Sequence, residues 1–215
     1  MLFRSRRRLS AEELRDQALF VSGLLVEKLG GPSVKPYQPP GLWQEIAMPA
    51  SNTRIYEQGT GDDLWRRSLY TYWKRACPPP ALQTFDAPTR ESCVIRRITT
   101  NTPLQALVLW NDEQFVEAAR VLAQRTLAAE GGDRERLSAL LERATGRPPA
   151  EEALAPLERG LARFRARYAS DTEGAAKLLA LGMAPRPEGA DARELAAWTM
   201  VASTVLNLDA TLCRN

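Results

Sequence analysis

The chain has 215 residues, 44% of them hydrophobic and 26% charged, and a formal net charge of +3. That composition excludes a disordered chain and gives no electrostatic case for a nucleic-acid or membrane binder. Histidine is absent, which excludes His-ligated zinc, c-type haem attachment and every nucleophilic mechanism built on a Ser-His or Cys-His pair.

Met1-Leu2-Phe3 leads directly into Arg4, Arg6, Arg7 and Arg8, so no signal-peptide pattern is present. The arginines read as a solvated terminus or a contact to a preceding domain. A nucleic-acid arm would want interleaved aromatics, which they lack. Ser10-Ala11-Glu12-Glu13 is a capping box. The helix it opens carries Leu14, Ala18, Val21, Leu25 and Leu29 on one stripe, and Gly30-Gly31-Pro32 is its predicted stop.

Prolines 36, 39, 40 and 49 then predict a coil from about residue 30 to 61, punctuated by Tyr37, Trp43 and Tyr56. Asp62 or Asp63 caps a predicted helix from about Leu64 to Ala76, with Trp65, Leu69, Tyr72 and Ala76 on its apolar face. Pro78-Pro79-Pro80 ends it and starts a second coil, from about residue 77 to 101, of polyproline character. A short strand at Cys93–Ile98 is compatible with the pattern, but it has no sheet to join.

Thr102-Pro103-Leu104-Gln105 is a strong helix start, with a threonine cap, proline first and glutamine third. That helix runs to Trp110. Asn111-Asp112 re-caps the chain into a helix from Glu113 to Ala129 whose inward row is Phe115, Ala119, Leu122 and Thr126. Further helices are predicted over Arg134–Thr145, from Pro149 through Tyr168 with a proline at 156, over Asp171–Gly182, and over Ala192–Asn207 behind an Asp191 cap. No apolar run approaches the ~20 residues of a membrane span. The fold class is therefore mainly α: one helical domain over residues 1–215, an irregular multi-helix bundle with two long Pro-rich coil segments and little or no sheet.

The polar cluster Asp86, Arg90, Glu91, Arg96, Arg97 and Asn101 is the candidate ligand-binding site. Arginine forks suit carboxylate, sulfate or phosphate, and a helix N-terminus beside them adds polarised amides. The plain alternative is that these charges pair with one another and stitch a coil to the helices. Asp86 with Glu91 is the one carboxylate pair that invites a glycosidase reading, yet neighbouring arginines would lower, not raise, a carboxyl pKa. Trp43, in the Pro/Gly-rich coil, is the aromatic that helical packing accounts for least, and it joins the candidate set. No catalytic residue and no metal ligand is assigned. Cys77, Cys93 and Cys213 form an odd set without a motif that leaves room for one disulfide, with buried free thiols the favoured reading.

The stretches Arg66 to Arg75, Pro78-Pro79-Pro80, Phe85 to Glu91, Arg96-Arg97, Asn101 to Leu107, Asn111 to Arg120 and Leu206 to Asp209 resemble a known family. It is the C-terminal planctomycete-type domain of unknown function, family 1553, of exported proteins that often also carry a cytochrome c domain. The resemblance, taken to span the whole chain, implies the tail of a longer, extracytoplasmic protein. It implies no cofactor in this chain, with haem confined to an upstream domain, and it carries no established reaction. The functional expectation is a non-catalytic binding or assembly module of such a protein, whose partner is the upstream domain, a separate protein or a glycan. The alternative is a carbohydrate-active hydrolase domain using Asp86 and Glu91 in an arginine-lined site.

Overall fold

In the computed structural model, which describes residues 6–187 and 189–214, Arg4 of the basic terminus lies outside the described residues. A short antiparallel pair, β1 (Arg7–Arg8) and β2 (Cys213–Arg214), sets Arg7 opposite Arg214 and Arg8 opposite Cys213. Ser10 then caps α1 (Ala11–Ser22) through the expected reciprocal box with Glu13. The helix stops at Ser22 and not at Gly30. Gly23 turns left-handed (φ 84°), and its N–H and that of Leu24 close on the Leu19 carbonyl. The apolar stripe continues past this point only in sequence, and Leu29 lies exposed.

The segment after α1 bends at the left-handed Gly30 and Gly31, and Arg66 fixes that bend: its guanidinium donates to the carbonyls of Lys28, Gly30 and Pro32 while lying 3.8 Å over the Tyr70 ring. Within the first predicted coil, α2 (Leu42–Ile46) is a short helix that buries Trp43. The helix predicted over 64–76 does not form. Two 3-10 turns, Gly61–Leu64 and Ser68–Tyr70, take its place, and Leu69 is exposed. Tertiary partners outbid the helix for its backbone groups. Arg15 takes the carbonyls of Leu64 and Arg66, the Asp16 carboxylate accepts the Ser68 N–H at 2.7 Å, and Val34 bridges both Tyr70 and Tyr72.

Past the prolines, α3 (Pro80–Thr84) interrupts the expected extended segment, with Pro80 at the first helical position where no N–H is needed. No strand forms at 93–98. Residues 91–99 are a coil exposed at every position. The capping box at Thr102 opens α4 (Pro103–Asn111), and Asp112 starts α5 (Glu113–Leu127), both as predicted. There follow α6 (Asp133–Thr145), α7 (Glu151–Ser170), which continues through Pro156, α8 (Thr172–Leu179), α9 (Ala192–Leu206) and α10 (Asp209–Leu212).

Two clusters of buried side chains meet on α5. The larger joins α5 to α6, α7, α8 and α9 around Leu122, Leu140, Leu161 and the fully buried Trp198. The smaller joins α1, α3, α4 and α10 through Leu14, Leu82, Leu109 and Leu212, with Phe85 edge-on to Phe115 at 5.9 Å. The most extensive helix pairing is α5 against α9. The fold is thus mainly α with a two-stranded ribbon, as expected. The three cysteines are unpaired, but none is interior: Cys93 is exposed, and Cys77 and Cys213 are half-buried. Among the described residues no helix is long and apolar enough to cross a membrane.

Candidate functional site

The polar residues that neighbour one another in sequence are dealt out to different partners in space. Asp86, in left-handed backbone (φ 62°), closes a clamp across the second coil. Its carboxylate accepts the Thr100 N–H at 2.7 Å, the Thr100 hydroxyl at 2.9 Å and the Gln105 side-chain amide at 3.3 Å. Gln105, which capping alone had explained, is buried and does more. It donates to the Thr84 carbonyl and receives the Arg8 guanidinium at 2.9 Å. Asp86 is therefore the fastening of a loop, with its lone pairs engaged.

Arg90, also left-handed (φ 62°), lies 4.3 Å over the Trp73 ring, and the Trp73 indole donates to the Thr89 carbonyl at 3.0 Å. Arg97 pairs with Glu12 of α1 at 2.6 Å. Arg96, with Arg97, Arg7 and Arg8, lines an open groove of about 620 Å³ at the start of α1 that Glu12 and Glu13 also border. Glu91 and Asn101 are exposed. Trp43 makes its contacts with none of these residues. It is 2% exposed, edge-on to Tyr56 at 4.8 Å and tilted on Tyr72 at 5.5 Å.

The structure adds something the sequence reading passed over. Between the Thr89 anchor and the Asp86–Thr100 clamp, the coil projects Val94, Ile95 and Ile98 into solvent, Ile95 and Ile98 at 106% and 75% exposure. Leu104 and Leu107 on α4 are exposed as well. The same residues had suggested a strand. With no neighbouring strand to pair with, their apolar side chains stay out.

Two buried polar groups, Arg15 and Glu117, carry no sequence signal, and Asp112, expected only as a cap, is half-buried beside Arg15. Asp112, the α5 cap, shares a cavity of about 20 Å³ with Arg15, Thr71 and Pro36, Pro39, Pro79 and Pro80. Burial pushes its carboxyl up to about 6, against the pull of the Gln114 N–H at 3.1 Å and of Arg15. A folded-state pKa above the ordinary 3.8 means that the folded chain holds this proton more tightly than the unfolded one. The associated stability is present below about pH 4 and is lost as pH rises through about 6. Asn caps as well as Asp, so Asp112→Asn keeps the helix start and removes the loss. It is expected to be more stable than the parent by about 1 kcal/mol near pH 7, with the difference vanishing near pH 4 in urea titrations at the two pH values.

No group of three or more His, Cys, Asp or Glu side chains is placed to hold a metal ion among the described residues. No curated protein and no solved structure matches the chain. A family model described as PSD1, a protein of unknown function (DUF1553), matches residues 1–161, which stops within α7 and leaves the Leu206–Asp209 stretch outside it. With about three quarters of its length inside that match, the chain belongs to the PSD1 (DUF1553) family of proteins of unknown function.

Proposed function

We propose that this chain is a non-catalytic binding and assembly module whose contact surface is the projecting coil 91–99 together with the outer side of α4. The observation that carries this reading is the fixed arm itself. It is fastened at one end by the Trp73–Thr89 hydrogen bond and at the other by the half-buried Asp86–Thr100 clamp, yet it holds Val94, Ile95 and Ile98 in water. An ordered chain gains nothing from such a display unless something covers it, and contiguous exposed apolar groups mark contact sites. Arg96 beside them suits an acidic rim on the partner, a protein with an apolar groove. The hydrolase alternative finds less support, because Asp86 is occupied by its clamp and Glu91 stands on open coil.

Burying an isoleucine is worth about 1.5–3 kcal/mol, so the double variant Ile95→Asp/Ile98→Asp should weaken partner binding by at least about a hundredfold. Its melting temperature should stay at the parent value, since both side chains already face solvent. Cys93, exposed beside Val94, is the handle for the experiment. A photo-crosslinker there, with Cys77 and Cys213 changed to serine, identifies the bound protein in extracts of the source cells, and equilibrium titration with the purified partner gives the affinity. Equal affinity for parent and double variant would remove the arm from the interface. Glycoside turnover by the isolated chain, lost in Asp86→Asn, would favour the hydrolase instead.

A further inference from the structure

A second surface, on the first coil, carries a different chemistry. The turn around residues 49–55, with Lys35, Tyr72 and the small exposed part of Trp43, lines a cleft of about 520 Å³, large enough for a small organic molecule. Two half-buried ammonium groups stand over the same Trp43 ring: Lys74 Nζ at 4.6 Å and Lys35 Nζ at 5.6 Å from its centroid. Lys35 is also 5.7 Å from the Tyr72 ring. Lys74 is positioned by the Thr53 carbonyl at 2.7 Å. Neither lysine, nor Arg54 at the cleft, forms an ion pair with a carboxylate among the described residues, and Glu57 is the single acid in the lining.

Counting donors against acceptors gives the sign of the missing occupant. The buried Trp43 indole N–H has no acceptor, while the half-buried Lys35 and the exposed Arg54 face solvent without a carboxylate partner among the described residues. Lysines gathered at one aromatic ring, half out of water and without a counter-charge, repel each other, and cation–π attraction offsets only part of that cost. The unsatisfied buried indole donor adds a further cost. The two cations call for a negatively charged partner and the indole N–H for an acceptor, while the half-buried Tyr72 and the small exposed part of Trp43 supply the apolar side of the cleft.

We propose that this cleft is a binding site for a small organic anion: a flat apolar body against the Trp43 and Tyr72 walls, with a carboxylate, phosphate or sulfate-type head group between Lys35 and Arg54. The site is independent of the 91–99 arm and does not rest on it.

The test uses the full chain and four probes of one shape: benzoate, phenyl phosphate, benzenesulfonate and neutral benzyl alcohol, titrated calorimetrically and by chemical-shift perturbation. At least one of the anions should bind with the Trp43 and Tyr72 signals shifted, and the neutral probe should bind at least tenfold more weakly. The ranking of the three anions names the head group. Lys35→Met, which keeps the aliphatic stem and leaves the Lys74–Thr53 contact in place, should lower affinity for the best anion about tenfold, or ~1.4 kcal/mol. Lys35→Glu should abolish binding, and Ile95→Asp/Ile98→Asp should leave it unchanged. Absence of binding by all three anions at millimolar concentration would overturn the proposal. So would equal affinity for the alcohol, or a Lys35→Met variant that binds like the parent while its spectrum shows a native fold.

Discussion

Glu117→Ala should destabilise the protein by about 3–5 kcal/mol, read as a fall in the urea midpoint at unchanged slope. Glu117 is on α5 and fully buried, and three donors from three separate segments converge on its carboxylate. Tyr37 of the first coil donates at 3.0 Å, the Trp65 indole at 2.8 Å, and the Ala184 N–H from the α8–α9 connection at 2.6 Å. Arg120, one turn along and equally buried, stands at 3.9 Å. Burial foremost, and then the neighbouring Glu117 charge, push the Tyr37 hydroxyl well above its ordinary range and keep it a donor. Alanine would leave these donors and the Arg120 cation facing a void.

Gly182 belongs to the same arrangement. Its φ is 79°, and a Cβ there would sit 2.4 Å from the Glu117 carboxylate. Glu117→Gln keeps the volume but turns an amide donor toward other donors, so it should fall between parent and alanine. A loss below about 1 kcal/mol in Glu117→Ala would mean that these hydrogen bonds do not hold the coil to the bundle.

Arg15→Met should cost about 3 kcal/mol and loosen one region in particular. The guanidinium is buried on α1 and spreads across four acceptors: Gln114 at 2.5 Å, the Arg66 carbonyl at 2.7 Å, the Leu64 carbonyl at 2.8 Å and the Ser68 hydroxyl at 3.3 Å. Burial lowers its pKa to about 10, which still leaves it a cation at neutral pH. Methionine fills most of the space and satisfies none of the acceptors. Hydrogen exchange should therefore accelerate most in residues 61–71, beyond the general increase that α9 reports. Arg15→Lys should rescue little, since one ammonium cannot span acceptors fixed around a planar fork. Uniform loss of protection along the chain, with no excess at 61–71, would refute the local role.

What could be read in the sequence was what is decided within one helical turn. Ser10 with Glu13, Thr102 with Gln105, and the caps Asp112 and Asp191 sit within three residues of the amides they serve, and all four helices start where predicted. The segment 64–76 has good helical spacing and still lost its helix. The groups that claimed its backbone, Arg15, Asp16 and Val34, are some thirty to fifty residues away in sequence. The candidate site shared that blind spot. Asp86, Arg90 and Arg97 look like one constellation on paper, but they answer to Thr100, Trp73 and Glu12.

Glu117 was passed over for the opposite reason. Gln114, Glu117 and Arg120 form a polar stripe opposite the apolar row of α5, which normally signals solvent. Here Arg15 of α1, Tyr37 of the first coil, Trp65 and the α8–α9 connection lie over that stripe and supply its hydrogen bonds. A buried helix with two unlike faces has no signature that separates it from a surface helix.

The position of α9 has a practical consequence. This helix forms the most extensive helix pairing of the molecule with α5, and small side chains are buried on both partners, Ala196, Ala197 and Ala202 on α9 and Ala118, Ala119 and Ala123 on α5. The recognisable stretch ends at residue 161, but the keystone of the larger core comes some thirty residues later. A protein trimmed to its recognised boundary would arrive without its own lining, a greasy trough in search of a substitute.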